Sequence, residues 1–134
     1  LGATLRVQAG ADLGARMAAA LEHALAAGAR PVLIGSDLPG LTADHLRGAV
    51  AALDEGADAV FAPAEDGGYG LVALARPWPE LFRGVPWGTD AVMAETRARA
   101  AGRPLVELAP LWDVDEPEDL ARLAGLPGFE ACRP

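Results

Sequence analysis

Apolar positions along the chain follow two periods. Leu13, Met17, Leu21 and Leu25 recur every fourth residue behind Asp12. That spacing predicts a helix with one buried stripe, capped by Asp12 and ended at Gly28. Leu46, Val50 and Leu53 behind Thr42 predict a second helix with those three side chains buried. Between and around the helices lie short apolar runs. Thr4–Gln8 reads as a strand, and the wholly apolar 31–35 (P-V-L-I-G) reads as a buried parallel strand. Asp58–Ala62 (D-A-V-F-A) is another. Tyr69–Leu74 follows it too closely for a helical crossover, so it is expected to turn back antiparallel. Residues 76–87 are rich in Pro and Trp and read as irregular, with one turn around Glu80–Phe82. Thr89 is expected to cap a helix that ends near Ala101 and Gly102, and 104–108 to form a strand. Pro117, Glu118 and Asp119 suit the first turn of a last helix.

The resulting order, β-α-β-α-β-β-α-β-α, predicts an α/β fold. Its sheet is mostly parallel with an antiparallel element, covered by helices to give three layers. At 134 residues, 51% of them hydrophobic, the chain is long enough for one domain, residues 1–134, with its own core. Eleven basic residues against 19 acidic ones give a net charge of −8. That balance, with no basic stripe, argues against nucleic acid as a partner. No apolar run approaches the roughly 20 residues that span a bilayer, so no membrane role is expected. The single cysteine, Cys132, cannot form an internal disulfide. With no signal peptide visible at the start, the expected location is the cytoplasm.

Charge becomes informative when placed on the predicted elements. Ligands of open α/β sheets bind beyond the carboxyl ends of the strands. Asp37 directly follows P-V-L-I-G, Glu65 and Asp66 follow D-A-V-F-A, and Asp113 and Asp115 lie between the strand at Leu105 and the last helix. Carboxylates gathered on one rim repel one another. A hard cation such as Mg²⁺ or Mn²⁺ resolves the repulsion and completes its shell with water and phosphate oxygens. The most specific local pattern is Glu65-Asp66-Gly67-Gly68-Tyr69. Its two glycines permit a tight turn and a close approach of backbone to ligand, though Asp-Gly also marks an ordinary hairpin. The segment 8–17 opens a helix behind glycines, and its N–H groups with Arg16 suit an anion. It has neither a Walker lysine nor G-x-G-x-x-G. Trp78, Trp87 and Trp112 suit either the cover of a core edge or stacking on a ring. His23 and His45 lack a Ser or Cys partner at recognisable spacing and read as structural or solvated.

In chain order the motifs are Q-A-G-A-D-L-G-A-R-M at 8–17, G-S-D-L-P at 35–39, P-A-E-D-G-G-Y at 63–69, W-G-T at 87–89 and D-V-D-E-P-E-D-L at 113–120. The set resembles the DUF2064 family of GT-A-fold proteins, whose members are described as nucleotide-diphospho-sugar transferases or arsenosugar-type glycosyltransferases. The wider superfamily includes guanylyl- and cytidylyltransferases of cofactor biosynthesis. The resemblance spans nearly the whole chain. It implies Mg²⁺ or Mn²⁺ held by Asp37 and Asp115, with Asp113 an extra candidate. It further implies a nucleotide-sugar or nucleotide substrate, with Gln8 and Arg16 expected to border the nucleotide side. Asp66 and the Gly67-Gly68 turn are expected to line the acceptor or sugar side, with Asp66 the candidate catalytic base, and Gly10, Glu65, Tyr69, Trp87 and Thr89 are further substrate-binding candidates.

Leu38 stands where the family often has Cys, and Glu116 where Thr is common. A further departure is the P-G-x-x-K-T-R-L type loop with which related proteins begin; nothing like it precedes Leu1. The expectation is therefore the C-terminal two-thirds of a family domain, truncated at its N-terminus, with an uncovered sheet edge through which oligomers can form. Three functions are compatible with this reading. They are a metal-dependent glycosyltransferase acting on a small-molecule acceptor, a nucleotidyltransferase, and a non-catalytic remnant or interaction module.

Overall fold

The computed structural model describes residues 2–129, so Cys132 lies outside the described residues. The elements are α1 (Leu13–Ala26), β1 (Val32–Ile34), α2 (Ala43–Asp54), β2 (Ala59–Pro63), β3 (Tyr69–Leu74), α3 (Val92–Arg99), β4 (Leu105–Glu107) and α4 (Asp119–Leu123), with a 3-10 turn at Pro79–Leu81. Asp12 caps α1 by accepting the Ala15 N–H at 2.7 Å. Thr42 and His45 form a reciprocal capping box at the start of α2, which gives His45 a structural task.

The four strands lie in the order β1-β3-β2-β4. β3 is antiparallel to both β1 and β2, whereas β4 is parallel to β2. Three strands therefore point one way, as the alternating pattern predicts. Two of the three pairings are nevertheless antiparallel, because the reversed strand is inserted between β1 and β2. The carboxyl ends of β1, β2 and β4 share one rim, and β3 begins there.

Helices cover both faces. On one, Met17 and Leu21 of α1 and Met93 of α3 pack with Phe61, Val72, Trp78 and Phe82. On the other, Ala49 and Leu53 of α2 pack on Val60, Ala62, Leu71, Ala73 and Leu111. Three layers result.

Several local expectations are corrected. Residues 4–8 form no strand: no described strand runs beside them to supply a ladder, and Leu5 and Val7 are 96% and 97% exposed. The apolar run at 31–35 becomes an edge strand paired only with β3, so it is half-buried, and Ile34 is exposed. On α2, Leu46 and Val50 face outward while Ala49 and Leu53 meet the sheet. The small Ala49 side chain lets the helix sit close. Thr89 does not cap α3 directly, since Ala91 occupies that position.

At the opposite end of the sheet Asp58 is buried. It accepts hydrogen bonds from Arg76 and from Arg103 Nε (3.0 Å), and the Arg103 guanidinium lies 3.4 Å over the Trp78 ring. Arg76, then Arg103, holds the Asp58 carboxyl below the usual carboxylate range. A depressed folded-state value means stability that is present above the unfolded value, about 3.9, and lost as pH falls through the folded one. The thermal midpoint of Asp58→Asn is therefore expected to lie below that of the wild type near neutral pH, with the gap closing below about pH 4. Melting curves across that range check it; an equal gap at both ends refutes the linkage.

Candidate active site

The rim shared by β1, β2 and β4 carries three loops. The first, after β1, places Asp37, whose main-chain oxygen accepts the Val114 N–H at 3.1 Å. That bond ties G-S-D-L-P to D-V-D although the two lie far apart in sequence. A side chain at Gly35 would bring its Cβ to 2.9 Å from Asp37 Oδ1, so the carboxylate folds back over this glycine.

The second loop, after β2, is the E-D-G-G-Y turn. Asp66 Oδ1 accepts the Gly68 N–H at 2.8 Å, which orients the carboxylate. Gly67 has φ +90, and its carbonyl accepts the Met93 N–H at 2.8 Å, docking the turn against the start of α3.

The third loop, after β4, runs beside the extension of β2. Leu111 donates to Pro63 O at 2.8 Å and accepts from the Glu65 N–H at 3.1 Å. It delivers Asp113.

These loops enclose a cavity of about 240 Å³ lined by Asp37, Asp66, Gly68, Tyr69, Trp87, Thr89 and Asp113, with Leu13, Met17, Leu38 and Val92 as its apolar wall. A second cavity of about 520 Å³ shares Asp37, Tyr69, Gly70, Leu13 and Met17 with it and adds Gln8 and Arg16. The two are lobes of one cleft with Asp37 at their junction.

Asp113 has its carboxyl raised above the usual range. Partial burial is the main cause, followed among the raising influences by the neighbouring charges of Asp66, Asp115 and Asp37; its own backbone hydrogen bond acts the other way. Tyr69 has a shielded hydroxyl with no hydrogen-bond partner, and burial pushes its ionisation above the ordinary phenol range. Its ring meets Phe61 edge-on at 4.8 Å and Trp87 at 6.3 Å.

The remaining expected site residues lie elsewhere. Glu65 is outside the lining: its carboxylate takes two hydrogen bonds from Arg122 (2.7 and 2.8 Å), and Arg122 lies 4.1 Å over Trp112. Arg122 accordingly holds the Glu65 carboxyl below its usual range. Gly10 accepts Arg16 Nε on its carbonyl at 3.4 Å and lines neither lobe. Gly67 lies within the turn but does not line the cavity. Asp115 does not line the cavity, and its N–H donates to Asp119 Oδ2 at 3.0 Å. Of the two carboxylates in D-V-D, Asp113 lines the cavity and Asp115 lies close enough for its charge to act on Asp113. Sequence reasoning also missed Arg122 as the partner of Glu65; its placement on a short terminal helix gave no signal of that contact.

The donor chemistry suits a hard divalent cation. Asp37 and Asp113 line one space, and a cation there would offset the charge of the carboxylates gathered around it. Among the described residues no three His, Cys, Asp or Glu side chains form a closed metal cage. A cation here would take the rest of its shell from water and substrate, the usual habit of Mg²⁺. Among the described residues no helix is long and apolar enough to cross a membrane.

Comparison with known proteins places this geometry. Residues 1–89 match the model of the family described as "Uncharacterized protein conserved in bacteria (DUF2064)". A phosphoenolpyruvate guanylyltransferase of Sphaerobacter thermophilus is 35% identical over 128 residues, which are 92% of this chain and 61% of that protein. The crystal structure of a candidate nucleotide-diphospho-sugar transferase from Desulfovibrio desulfuricans G20 superposes with a TM-score of 0.79 at 32% identity. It covers 92% of this chain and 56% of that one. The chain thus spans about three-fifths of the length of the relatives it matches.

Proposed function

The chain belongs to the DUF2064 family, and from that premise we propose that its cleft serves the transfer of a sugar from a nucleotide diphosphate to a small acceptor. One observation carries the reading: Asp37, Asp66 and Asp113, from three loops, face a single cavity on a fold shared with a candidate nucleotide-diphospho-sugar transferase.

Asp37 and Asp113 would hold a divalent cation, with Asp115 beside them in the chain. When bound, such an ion neutralises the donor diphosphate and stabilises it as a leaving group. Arg16 and Gln8 border the larger lobe, where a guanidinium can pair with phosphate oxygens. In the smaller lobe Asp66, oriented by the Gly68 N–H, takes the proton of the acceptor hydroxyl. Leu13, Met17, Leu38 and Val92 supply the apolar side of the cavity.

A second reading, nucleotidyl transfer, is favoured by the guanylyltransferase relative. The products separate the two. Sugar transfer releases a nucleoside diphosphate, whereas nucleotidyl transfer from a triphosphate releases pyrophosphate. Assays of both products with Mn²⁺, a panel of nucleotide sugars and GTP are expected to show the diphosphate. Pyrophosphate alone would install the second reading, and neither product, with no calorimetric binding of any donor, would remove both.

A further inference from the structure

Arg122 lines neither lobe of the cleft, yet it touches two of the loops that form it. Its guanidinium donates to both oxygens of Glu65, at 2.7 and 2.8 Å, a two-pronged bond that fixes direction as well as distance. The same planar group lies 4.1 Å from the centre of the Trp112 ring. Glu65 immediately precedes Asp66 on the second loop, and Trp112 immediately precedes Asp113 on the third. The contact also reaches the first loop. A Cβ at Gly40 would fall 3.3 Å from Trp112 Nε1, so the buried indole lies against the residue that follows G-S-D-L-P.

The main-chain bond from Glu65 N–H to Leu111 O, at 3.1 Å, joins the second and third loops just before their cavity-lining carboxylates. Arg122 extends that junction to the side chains of Glu65 and Trp112. The helix that presents it is itself tied down. Asp119 Oδ2 accepts the N–H groups of Asp115 (3.0 Å) and Glu116 (2.9 Å), and Leu123 is buried. Folding stability gives little reason for the arrangement: the Arg122 and Glu65 side chains are about half exposed, and an exposed ion pair contributes little to it.

We infer that Arg122 is a positioning residue: by gripping Glu65 and stacking on Trp112, it sets the mutual placement of Asp66 and Asp113 across the cavity. The inference rests on the transferase reading above for the use of those carboxylates. It goes beyond that reading by placing a determinant of the site on α4, outside the cleft. Lysine cannot take over the task, because a point charge supplies neither the two-pronged bond nor the flat face.

The test compares the full chain with Arg122→Lys, Arg122→Gln and Glu65→Gln. Mn²⁺ affinity in the presence of a nucleoside diphosphate is read by electron paramagnetic resonance, and amide exchange by NMR without the metal. Each variant is expected to bind Mn²⁺ about tenfold more weakly, the lower end of the loss when an outer partner of a metal site is removed. Arg122→Gln discriminates by sign. Removing a positive charge near carboxylates favours a bound cation on electrostatic grounds alone, so weaker binding there reports lost positioning. Exchange of the Glu65 and Val114 N–H groups is expected to quicken in all three variants, with that of Met93, which docks the turn on α3, unchanged. Wild-type Mn²⁺ affinity in Arg122→Lys overturns the inference, as does equal or tighter binding in Arg122→Gln or an equal quickening at all three amides. Should the Arg122 variants fail to fold, Glu65→Gln decides, since it leaves Arg122 on Trp112: unchanged Val114 exchange there overturns the inference. Variants that match a Mn²⁺-binding wild type remove this inference alone, whereas a wild type that binds no Mn²⁺ removes the transferase reading and the inference with it.

Discussion

Gly67→Ala is expected to destabilise the chain by about 3 kcal/mol or more, because one methyl group meets two independent obstacles. The residue sits at φ +90, a backbone conformation that costs an L side chain about 1–3 kcal/mol. Its Cβ would also fall 2.2 Å from the Asp90 carbonyl oxygen and 2.6 Å from Asp90 Cα. These are backbone atoms at the entry to α3, and they cannot move without breaking the bond from Met93 N–H to Gly67 O. The neighbouring Gly68 provides the control. A Cβ there meets nothing closer than the Asp66 carboxylate at 3.2 Å, the mobile end of a side chain. Urea denaturation should show a large fall in midpoint for Gly67→Ala and a small one for Gly68→Ala. Equal midpoints would mean that the turn is not docked on α3 as described.

Asp37→Asn is expected to slow transfer about 10²- to 10³-fold, the loss typical of removing one electrostatic contact to developing charge, or roughly 3–4 kcal/mol of barrier. The fold should be indifferent to it. Asp37 is exposed, and its bond to Val114 runs through the main-chain oxygen, which the amide variant keeps. Asn also preserves the shape that lies against Gly35. The expected signature is a melting curve that superposes on the wild type, together with loss of Mn²⁺ affinity and of turnover. An unchanged rate and an unchanged cation affinity would remove Asp37 from the site.

How far the fold was legible depends on where its determinants lie. The spacing of Met17 and Leu21 and the Asp12 cap specify α1 locally, and the structure reproduces them. The short interval between Ala62 and Tyr69 allows only a reversal, so β3 was readable as antiparallel. Its insertion between β1 and β2 was not readable, because strand order is set by long-range pairing. The same limit explains the two misplaced faces. An apolar run such as 31–35 looks alike whether one or both of its edges are paired. Leu46 and Val50 match the helical period as well as Ala49 does, and only the position of the sheet decides between them.

The candidate site follows the same division. The motifs at Asp37, at Asp66–Tyr69 and at Trp87–Thr89 converge on one cavity. That Asp113 lines it, and that the main chain at Val114 bonds to Asp37, are long-range features that no sequence pattern encodes. Glu65 was readable as an acidic rim residue. The arginine that occupies it lies 57 positions away.

The reversed strand has a consequence for the order in which the cleft is assembled. β2 and β3 form a hairpin closed by five residues, 64–68, so their pairing costs little loop entropy. β1 and β4 must return to that hairpin from much farther along the chain. A low-separation contact of this kind is expected to form early in folding. Asp66 and Tyr69 would then be positioned on a nascent ribbon before Asp37 and Asp113 arrive from either side. The Asp66–Tyr69 turn would thus act as the template on which the loops carrying Asp37 and Asp113 are later mounted.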